Sequence, residues 1–367
     1  MKSEMSNFQM MVTHFCIISS NTLILGYNVI AGVDSWLAFL IAGVAAVFFY
    51  MILIRIIRLR PGMDLFEIIE SAFGPVAGRI LGIFLILCMT FYSTLITEYM
   101  SQFVATTTRN QNVDFVFSIV FTIVCIFICK VSVHAFGRFI NLVGPLIVLT
   151  ILLSFSFYFM RLSPSQLLPI MENGPAPVLT GAYSLFVSPF CNILLMFSFF
   201  KRMHSGKGFA KSLFISLAIS IVIITARYAV NICVLGEFAI QELYYPSYMA
   251  LSVLNIAPFF QRIEVLLAVH FILINLIKLS ACIMFLRDGL NMLFKIKDKR
   301  VLVVPISLII LFASYIFFTD TDEMFRYTIY YPFLNGFFMF GIPVAAWITL
   351  EIKQRRMRKK KLPAQAA

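Results

Sequence analysis

The chain has 367 residues, of which 61% are hydrophobic and 13% charged, and 29 Lys and Arg against 17 Asp and Glu give a net charge of +12. Soluble domains carry about 25% charged residues, so this composition excludes an ordinary soluble fold and indicates a membrane protein in contact with the lipid bilayer. In such a protein the basic excess reports orientation, and nucleic acid binding is the weaker interpretation.

Apolar segments recur along the whole chain at lengths that suit a membrane crossing, which takes about 20 residues in a helix. Glu98, Arg227 and Lys278 interrupt three of them, and the others carry almost no charge. The segments are 8–30, 35–54, 80–108, 113–129, 139–160, 180–200, 212–236, 265–286, 301–319 and 327–350. The sequence therefore predicts an all-α polytopic membrane protein with ten transmembrane helices.

The basic residues gather at every second junction between these segments. With the N-terminus inside, 23 of the 29 Lys and Arg lie in inner segments and two lie within spans. The outer segments hold Arg109, Arg161, Arg262 and Arg326. The positive-inside rule then predicts that both termini are cytoplasmic. Residues 351–367 are predicted to form a basic cytoplasmic tail against anionic headgroups.

Ten helices divide into two groups of five with opposite topology, which is typical of an inverted repeat. We expect one transmembrane domain over 1–367, with repeats at about 8–160 and 178–350. The amphipathic connection 55–74 should lie on the inner membrane surface, and its counterpart, 237–261, falls on the outer side.

Inverted-repeat transporters commonly break the first helix of each half near mid-membrane, where free backbone groups face a cavity. The first span contains Ser19, Ser20, Asn21 and Thr22, followed by Gly26. The sixth contains Ser188, Pro189, Phe190, Cys191 and Asn192. The matched clusters predict broken first and sixth helices. The alternative is that the polar side chains bond to the preceding turn and that Pro189 makes a kink.

Several short motifs follow one another in a distinctive order along nearly the whole chain. They are Arg60-Pro61-Gly62 with Leu65-Phe66-Glu67-Ile68, Arg138 with Pro145, Leu168-Pro169-Ile170-Met171-Glu172-Asn173-Gly174 with Gly181, Ser188-Pro189-Phe190, Val234-Leu235-Gly236-Glu237, Tyr245-Pro246, Phe260-Gln261-Arg262-Ile263-Glu264 and Ile277-Lys278-Leu279-Ser280. By these motifs the chain resembles the B subunits of spore nutrient-germinant receptors, the spore permease family within the amino acid/polyamine/organocation superfamily.

The resemblance implies a leucine-transporter-like fold and residence in the inner membrane of a dormant spore. It also implies a partner A subunit with its own membrane region, a lipoprotein C subunit on the outer face, and sensing of a small nutrient, commonly an amino acid. The chain departs from the family pattern at Ser19, Gly26 and Cys191-Asn192, where Gly, Pro and Gly-Glu are frequent. These departures leave the identity of the ligand open.

An amino acid can be bound with few charged side chains in such a fold. A helix N-terminus offers N–H groups and a positive dipole to the carboxylate, and carbonyls of a broken helix accept from the ammonium. We expect the ligand to contact Ser19, Ser20, Asn21, Thr22, Tyr92, Ser188, Phe190 and Asn192. For Tyr92, a lid or hydroxyl donor in this hypothesis, plain helix packing is the alternative.

Glu98, Arg227 and Lys278 lie well inside spans, where a charge costs at least about 2.5 to 3.5 kcal/mol on insertion scales. The depths permit a Glu98–Arg227 pair, with water or other partners as alternatives. In related sodium-coupled transporters the eighth helix and the first-helix break form a cation site. The Lys278 ammonium could replace that sodium and bond to carbonyls near Ile17 and Ile18, or it could be a bystander in a wet cavity.

Catalytic triads, metalloprotease motifs and phosphate loops are missing from the sequence, so we expect neither an enzyme nor a cofactor or metal site. The leading hypothesis is a nutrient-sensing receptor subunit that signals germination to partner subunits. The main alternative is an amino acid secondary transporter coupled to protons or another ion. A third possibility is that ligand binding opens a path for water or ions.

Overall fold

The computed structural model describes residues 5–110, 113–131, 133–158, 162–200, 207–254, 264–318 and 320–361, and within these ranges the fold is all helical. Ten helical segments in the described chain are long and apolar enough to cross a membrane. They are Asn7–Leu25, Gly32–Leu59, Pro75–Thr108, Val113–Lys130, Ala135–Tyr158, Pro175–Phe200, Gly208–Leu235, Val265–Phe294, Lys299–Phe317 and Thr321–Met357. Each overlaps one predicted span, so the prediction of ten transmembrane helices is confirmed.

The helices are labelled in chain order. They are α1 (Asn7–Leu25), α2 (Ser35–Leu59), α3 (Leu65–Phe73), α4 (Pro75–Thr108), α5 (Val113–Lys130), α6 (Val133–Tyr158), α7 (Pro175–Val187), α8 (Phe197–Phe200), α9 (Lys207–Leu235), α10 (Glu237–Gln241), α11 (Pro246–Ser252), α12 (Val265–Phe294), α13 (Val303–Phe317), α14 (Thr321–Gly336) and α15 (Ile342–Lys361). A 3₁₀ segment, Phe190–Met196, joins α7 to α8, and a π-helical turn, Phe337–Gly341, joins α14 to α15.

Helix α1 is continuous, so the predicted break at Ser19 to Thr22 is wrong. The Ser19 and Thr22 hydroxyls donate to the carbonyl oxygens of Phe15 and Ile18, at 2.6 and 2.9 Å. These bonds satisfy the hydroxyls one turn back without opening the helix, which is the alternative that the sequence allowed. The first span also ends earlier than expected, at Leu25 rather than residue 30.

A glycine ends α1 in a tightly packed position. Gly26 has φ +53°, a left-handed conformation typical of a helix C-terminus, and its N–H donates to the Thr22 carbonyl at 3.0 Å. Its own carbonyl accepts from Asn231 Nδ2 at 3.2 Å, and the Leu23 carbonyl accepts from Ser247 Oγ at 2.6 Å. Side chains of α9 and α11 therefore cap this end of α1.

The sixth span is interrupted, and here the predicted break is confirmed. Helix α7 ends at Val187, Ser188 is extended with φ −132° and ψ 108°, and a 3₁₀ segment follows. Pro189 explains the interruption because proline has no N–H to donate and disfavours helical geometry in the preceding residue. The Leu185 carbonyl, four residues before Pro189, thereby loses its helical donor.

The central helices α1 and α12 are mostly buried and pack against each other, whereas peripheral helices expose apolar side chains. On α1, Cys16, Ile17 and Ile18 have no exposed surface, while Phe127 on α5 is 70% exposed and Ile316 on α13 is 75% exposed. Apolar exposure of this extent on outer helices fits contact with lipid. The buried centre of the bundle is therefore built around α1 and α12.

The two connections that the sequence singles out, 55–74 and 237–261, both contain short helices. Within 55–74, α3 begins with a capping box in which Asp64 accepts from the Glu67 N–H at 2.9 Å. Within 237–261, α10 and α11 are helical, and residues 255–261 lie outside the described part of the chain. Helix α15 continues into the predicted tail to Lys361, and residues 362–367 lie outside the described ranges. Lys353 Nζ donates to the last carbonyls of α3.

Candidate functional site

A cavity of about 160 Å³ lies inside the bundle, between α1, α4, α7, α12 and α14 and beneath the segment that carries α10 and α11. Its polar lining residues are Asn21, Thr22, Asn28, Ser184, Ser188, Gln241, Thr328 and Lys278. Its aromatic lining residues are Tyr27, Tyr92, Tyr99, Tyr228, Tyr244, Phe325 and Tyr331. The lining combines aromatic walls with a few convergent polar groups, which is typical of a small-molecule site.

Four of the predicted ligand contacts line this cavity: Asn21, Thr22, Tyr92 and Ser188. They come from α1, α4 and the interruption after α7, so the bundle brings together residues that are distant in the sequence. Asn21 Oδ1 is buried and has no hydrogen-bond partner in the described structure. The hydrogen-bonding capacity of this oxygen is thus unused in the described structure.

Two further predicted contacts, Ser20 and Asn192, lie one hydrogen bond behind the cavity surface. Ser20 Oγ accepts from Lys278 Nζ at 2.6 Å, and Asn192 Nδ2 donates to Tyr92 Oη at 2.7 Å. Each thus bonds to a residue that lines the cavity, and we expect it to position that residue.

Ser19 and Phe190, the remaining two predicted contacts, are not among the residues that line the cavity. Among the described residues, Ser19 bonds only to its own helix, and the Phe190 ring packs on Phe39 with ring centroids 5.1 Å apart. Along an intact helix successive side chains point in different directions, so Ser19 and Asn21 cannot share the face that an unwound segment would give them.

Lys278 on α12 is 1% exposed and lies against the cavity. Its ammonium bonds to Ser20 Oγ and lies 5.0 Å from the centroid of the Tyr92 ring, within the range of a cation–π interaction. The predicted contact with the first helix is found, but the acceptor is a hydroxyl. Since α1 is unbroken, the carbonyls near Ile17 and Ile18 remain within its backbone hydrogen bonding.

Glu98 does not pair with Arg227. Glu98 Oε1 accepts from Gln102 Nε2 at 2.8 Å, one turn further along α4. Gln102 Oε1 in turn accepts from Thr321 Oγ1 at 2.9 Å, which connects α4 to the beginning of α14. The carboxyl group is thus part of a polar chain between two helices.

Arg227 on α9 has its partners on α6. Its Nη2 donates to Ser154 Oγ at 2.6 Å, and its guanidinium carbon lies 4.4 and 4.7 Å from the ring centroids of Phe155 and Tyr158. Aromatic faces stabilise a buried cation without a counter-ion. Of the alternatives that the sequence left open, the structure favours separate partners for both charges.

Sequence reasoning missed the contribution of α14 to the cavity. Tyr331 and Thr328 line it, and the Tyr331 ring stacks on Tyr92 with centroids 5.3 Å apart. Single tyrosines in apolar spans carry no recognisable pattern. Pro332, a proline inside α14, was the one local signal, since proline inside a membrane helix marks an irregularity.

One side of the cavity is covered by the segment between α10 and α11, called the outer segment because the sequence predicts it on the outer side of the membrane. Tyr244 donates a hydrogen bond from its hydroxyl to the Asp322 carboxylate, and this bond raises the pKa of Tyr244 to about 12. The Tyr244 ring also stacks on Phe325 with centroids 5.0 Å apart. These contacts join the outer segment to α14 above the cavity.

Comparison with known proteins gives matches of two kinds. The spore permease family, whose members are described as spore germination proteins, matches residues 4–322. Spore germination protein KB of Bacillus subtilis strain 168 is 23% identical over 98% of both chains. Putative spore germination protein YfkT of the same organism is 20% identical over 87% of this chain and 88% of that protein.

Among solved structures, the chain is similar to Mhp1, a nucleobase-cation-symport-1 family transporter in a closed conformation with bromovinylhydantoin bound. The TM-score is 0.69 at 13% identity, covering 92% of this chain and 78% of Mhp1. At this identity the likeness shows the fold alone. The fold is that of the leucine-transporter-like class, as the sequence predicted.

Proposed function

The chain belongs to the spore permease family of spore germination proteins, and we propose that it is the nutrient-sensing transmembrane subunit of a spore germinant receptor. A small nutrient such as an amino acid binds in the cavity, and binding is signalled to a partner A subunit and a lipoprotein C subunit. The chain lies in the spore inner membrane with both termini cytoplasmic, and its repeats span about 8–160 and 178–350.

The observation that carries the proposal is the interruption after α7 beside the cavity. Irregular backbone at membrane depth is tolerated where it lines a cavity, and it offers polar groups to a ligand there. Ser188 lines this cavity, and the nearby Leu185 carbonyl lacks its helical donor. The volume of about 160 Å³ is below the 300–1,000 Å³ common for drug-sized ligands and suits a small nutrient.

The cavity is connected to three parts of the protein that could change together on binding. Lys278 joins α12 to α1, Asn192 joins the interrupted segment to α4 through Tyr92, and Tyr244 joins the outer segment to α14. A ligand signals only if it binds one arrangement of these elements more tightly than another. Rearrangement of the outer segment would reach a lipoprotein subunit on the outer face.

The test replaces Asn21 with alanine in the assembled receptor of intact spores. Asn21→Ala removes a buried, unpartnered acceptor of the cavity, and we expect the nutrient dose-response to shift about tenfold to higher concentration. Asn141→Ala, on an exposed face of α6, is the matched control. Equal dose-responses for Asn21→Ala and wild type, at equal receptor levels, would contradict the position of the site.

A second candidate is secondary transport of an amino acid coupled to protons or another ion. The fold neighbour is named as a cation-symport family transporter, and the germination relatives belong to a permease family. Uptake measurements in reconstituted vesicles distinguish transport from nutrient sensing. Sustained, gradient-dependent uptake by the isolated chain would favour transport, whereas germination loss in cavity variants without any uptake would favour sensing. Ion conductance without stoichiometric uptake would indicate a ligand-opened path.

A further inference from the structure

We propose that a groove at one end of the bundle is the docking surface for a basic segment of a partner protein. The groove has a volume of about 470 Å³ and is lined by residues of 27–34 after α1, 168–177 at the start of α7 and 237–242 at α10. We call it the outer groove, because the sequence predicts these connections on the outer side of the membrane. The inference rests on the proposed function for the presence of a partner protein, and it adds where that partner binds and what chemistry it presents.

The outer groove is acidic. Asp34, Glu172, Glu237 and Glu242 line it, and its described lining includes no lysine or arginine. None of these carboxylates forms an ion pair within the part of the chain that the structure describes. Carboxylates gathered around one concave surface attract a cationic partner and repel an anionic one.

Exposed apolar side chains lie beside these carboxylates. Leu168 lines the groove and is 65% exposed, and Phe238, which follows Glu237 in the chain, is 89% exposed. Val29 and Ile170, in the other two connections, are also exposed. Exposed apolar side chains grouped beside a groove are typical of a protein interface. A small cation would gain little from them, so a polypeptide with both basic and apolar side chains fits the groove better.

The same apolar side chains are poorly suited to insertion into the bilayer. Phe238 follows Glu237, and Met171 precedes Glu172, so a carboxylate would enter the membrane surface with each apolar side chain. Burial of a carboxylate in the membrane is costly, and anionic headgroups repel it. A lysine or arginine of a partner protein would instead compensate the negative charge.

Hydrogen bonds hold the walls of the groove in place. The Met171 N–H donates to both carboxylate oxygens of Asp34, at 3.0 and 3.1 Å, which joins the connection before α7 to the one after α1. Asn28 Oδ1 accepts from the N–H groups of Ile30 and Ala31, both at 3.1 Å, and shapes the connection after α1. A surface that is already ordered loses little conformational entropy when a partner binds.

The outer groove shares a wall with the cavity. Tyr27, Val29, Ile30 and Gln241 line both of them. A partner segment in the groove would therefore contact residues that also face a ligand in the cavity. If the ligand favours one arrangement of this shared wall, it changes the affinity for the partner, and the partner changes the affinity for the ligand by the same factor.

The test is site-specific photocrosslinking in intact spores. Benzoylphenylalanine replaces Ile170 beside the groove or, for comparison, Phe127 on the exposed face of α5. We expect the probe at position 170 to crosslink to a polypeptide, with lysine or arginine beside the crosslinked residue in the peptide that mass spectrometry identifies. The probe at position 127 shows the adducts that a lipid-facing position gives.

Charge reversal then tests the chemistry of the interaction. Glu172→Lys combined with Glu237→Lys places cations in the groove, and we expect the crosslink yield to fall about tenfold at equal receptor levels. Replacement of the partner's basic residues by glutamate should restore most of that yield, which a misfolded variant would not allow. Glu172→Gln with Glu237→Gln removes the charges without reversing them and should give a smaller loss. Asp114→Lys, at the start of α5 and outside the groove lining, is the matched control.

Crosslinks from position 170 to lipid alone, to a segment without basic residues, or to nothing would overturn the inference. An undiminished yield in the charge-reversal variant would overturn it as well. These results leave the nutrient site untouched, because the dose-response of Asn21→Ala tests the cavity separately. Conversely, a charge-dependent crosslink together with an unchanged Asn21→Ala dose-response would retain the docking surface and contradict the proposed position of the nutrient.

Discussion

The first and sixth spans begin the two predicted halves, but the backbone carbonyls at the ends of their first helices are treated differently. Helix α1 runs unbroken to Leu25, and Asn231 and Ser247 cap the carbonyls at its end. Helix α7 stops at Val187, and Pro189 removes the donor that the Leu185 carbonyl would use. Both ends lie beside the cavity, but side chains of the protein bond the carbonyls at the end of α1, whereas the Leu185 carbonyl lacks its helical donor. Polar composition alone therefore does not open a helix, since both spans are rich in polar residues.

The largest effect is expected at the capped end of α1. In Gly26→Ala the new Cβ would overlap Asn231 Nδ2 and lie 2.5 Å from Ser247 Oγ, at a backbone with φ +53°. Strain and overpacking together should lower the free energy of unfolding by about 2–5 kcal/mol. Thermal unfolding in detergent measures the loss.

Gly62→Ala provides the control for backbone strain alone. Gly62 has φ +79°, but a Cβ added there would have no heavy atom within 4 Å among the described residues. We expect a loss of about 1–2 kcal/mol, the ordinary cost of a left-handed alanine. Equal losses in both variants would show that the Asn231 and Ser247 contacts do not define the end of α1.

The next effect concerns the open end of α7. Pro189→Ala restores a backbone N–H and permits helical geometry at Ser188, so the interruption should partly close and ligand affinity should fall about tenfold. Pro145→Ala, a proline within α6 on an exposed face, is the control and should leave affinity unchanged. Full ligand affinity in Pro189→Ala would show that the interruption after α7 is not needed for binding.

A smaller effect is expected where the interrupted segment bonds to α4. Tyr92→Phe keeps the ring that faces Lys278 and Tyr331 but removes the hydroxyl that accepts from Asn192 at 2.7 Å. We expect a loss of about 1 kcal/mol in stability and a weaker ligand response. Unchanged stability and response would show that this bond does not hold the interrupted segment.

The smallest effect is expected at Ser19. Within the part of the chain that the structure describes, its hydroxyl bonds only to the Phe15 carbonyl of its own helix, so Ser19→Ala should change stability by less than about 1 kcal/mol and leave binding unchanged. A large loss of ligand binding in this variant, at normal expression, would indicate that the first span unwinds in the binding-competent state.

Much of the fold could be predicted because it depends on local composition. Ten apolar segments, the amphipathic α3 and the proline-directed interruption at Ser188 all follow from residues near one another in the chain. The prediction of a break in the first span was wrong because serine and threonine form the same bonds to a preceding turn whether or not the helix continues. The observed end of α1 depends on contacts with Asn231 and Ser247, which lie more than 200 residues away from Gly26 in the sequence.

The candidate site was predicted in part for the same reason. Asn21, Tyr92, Ser188 and Lys278 were polar or ionisable residues in otherwise apolar spans, and they line the cavity. The contributions of Tyr331, Thr328 and Gln241 depend on how α10 and α14 pack over the central helices. That arrangement is a property of the assembled bundle and leaves no mark in the local sequence.

The central claim is that α1 is continuous and that the sixth span is interrupted after α7, beside the ligand. Single cysteines introduced at 19–22 and 184–192 in a cysteine-free background, labelled with a small membrane-impermeant reagent with and without ligand, test it most directly. We predict that only the face carrying Asn21 and Thr22 reacts on α1, whereas ligand protects adjacent positions around Ser188. Reaction at all four positions of 19–22, or strict helical periodicity through 184–192, would contradict the account.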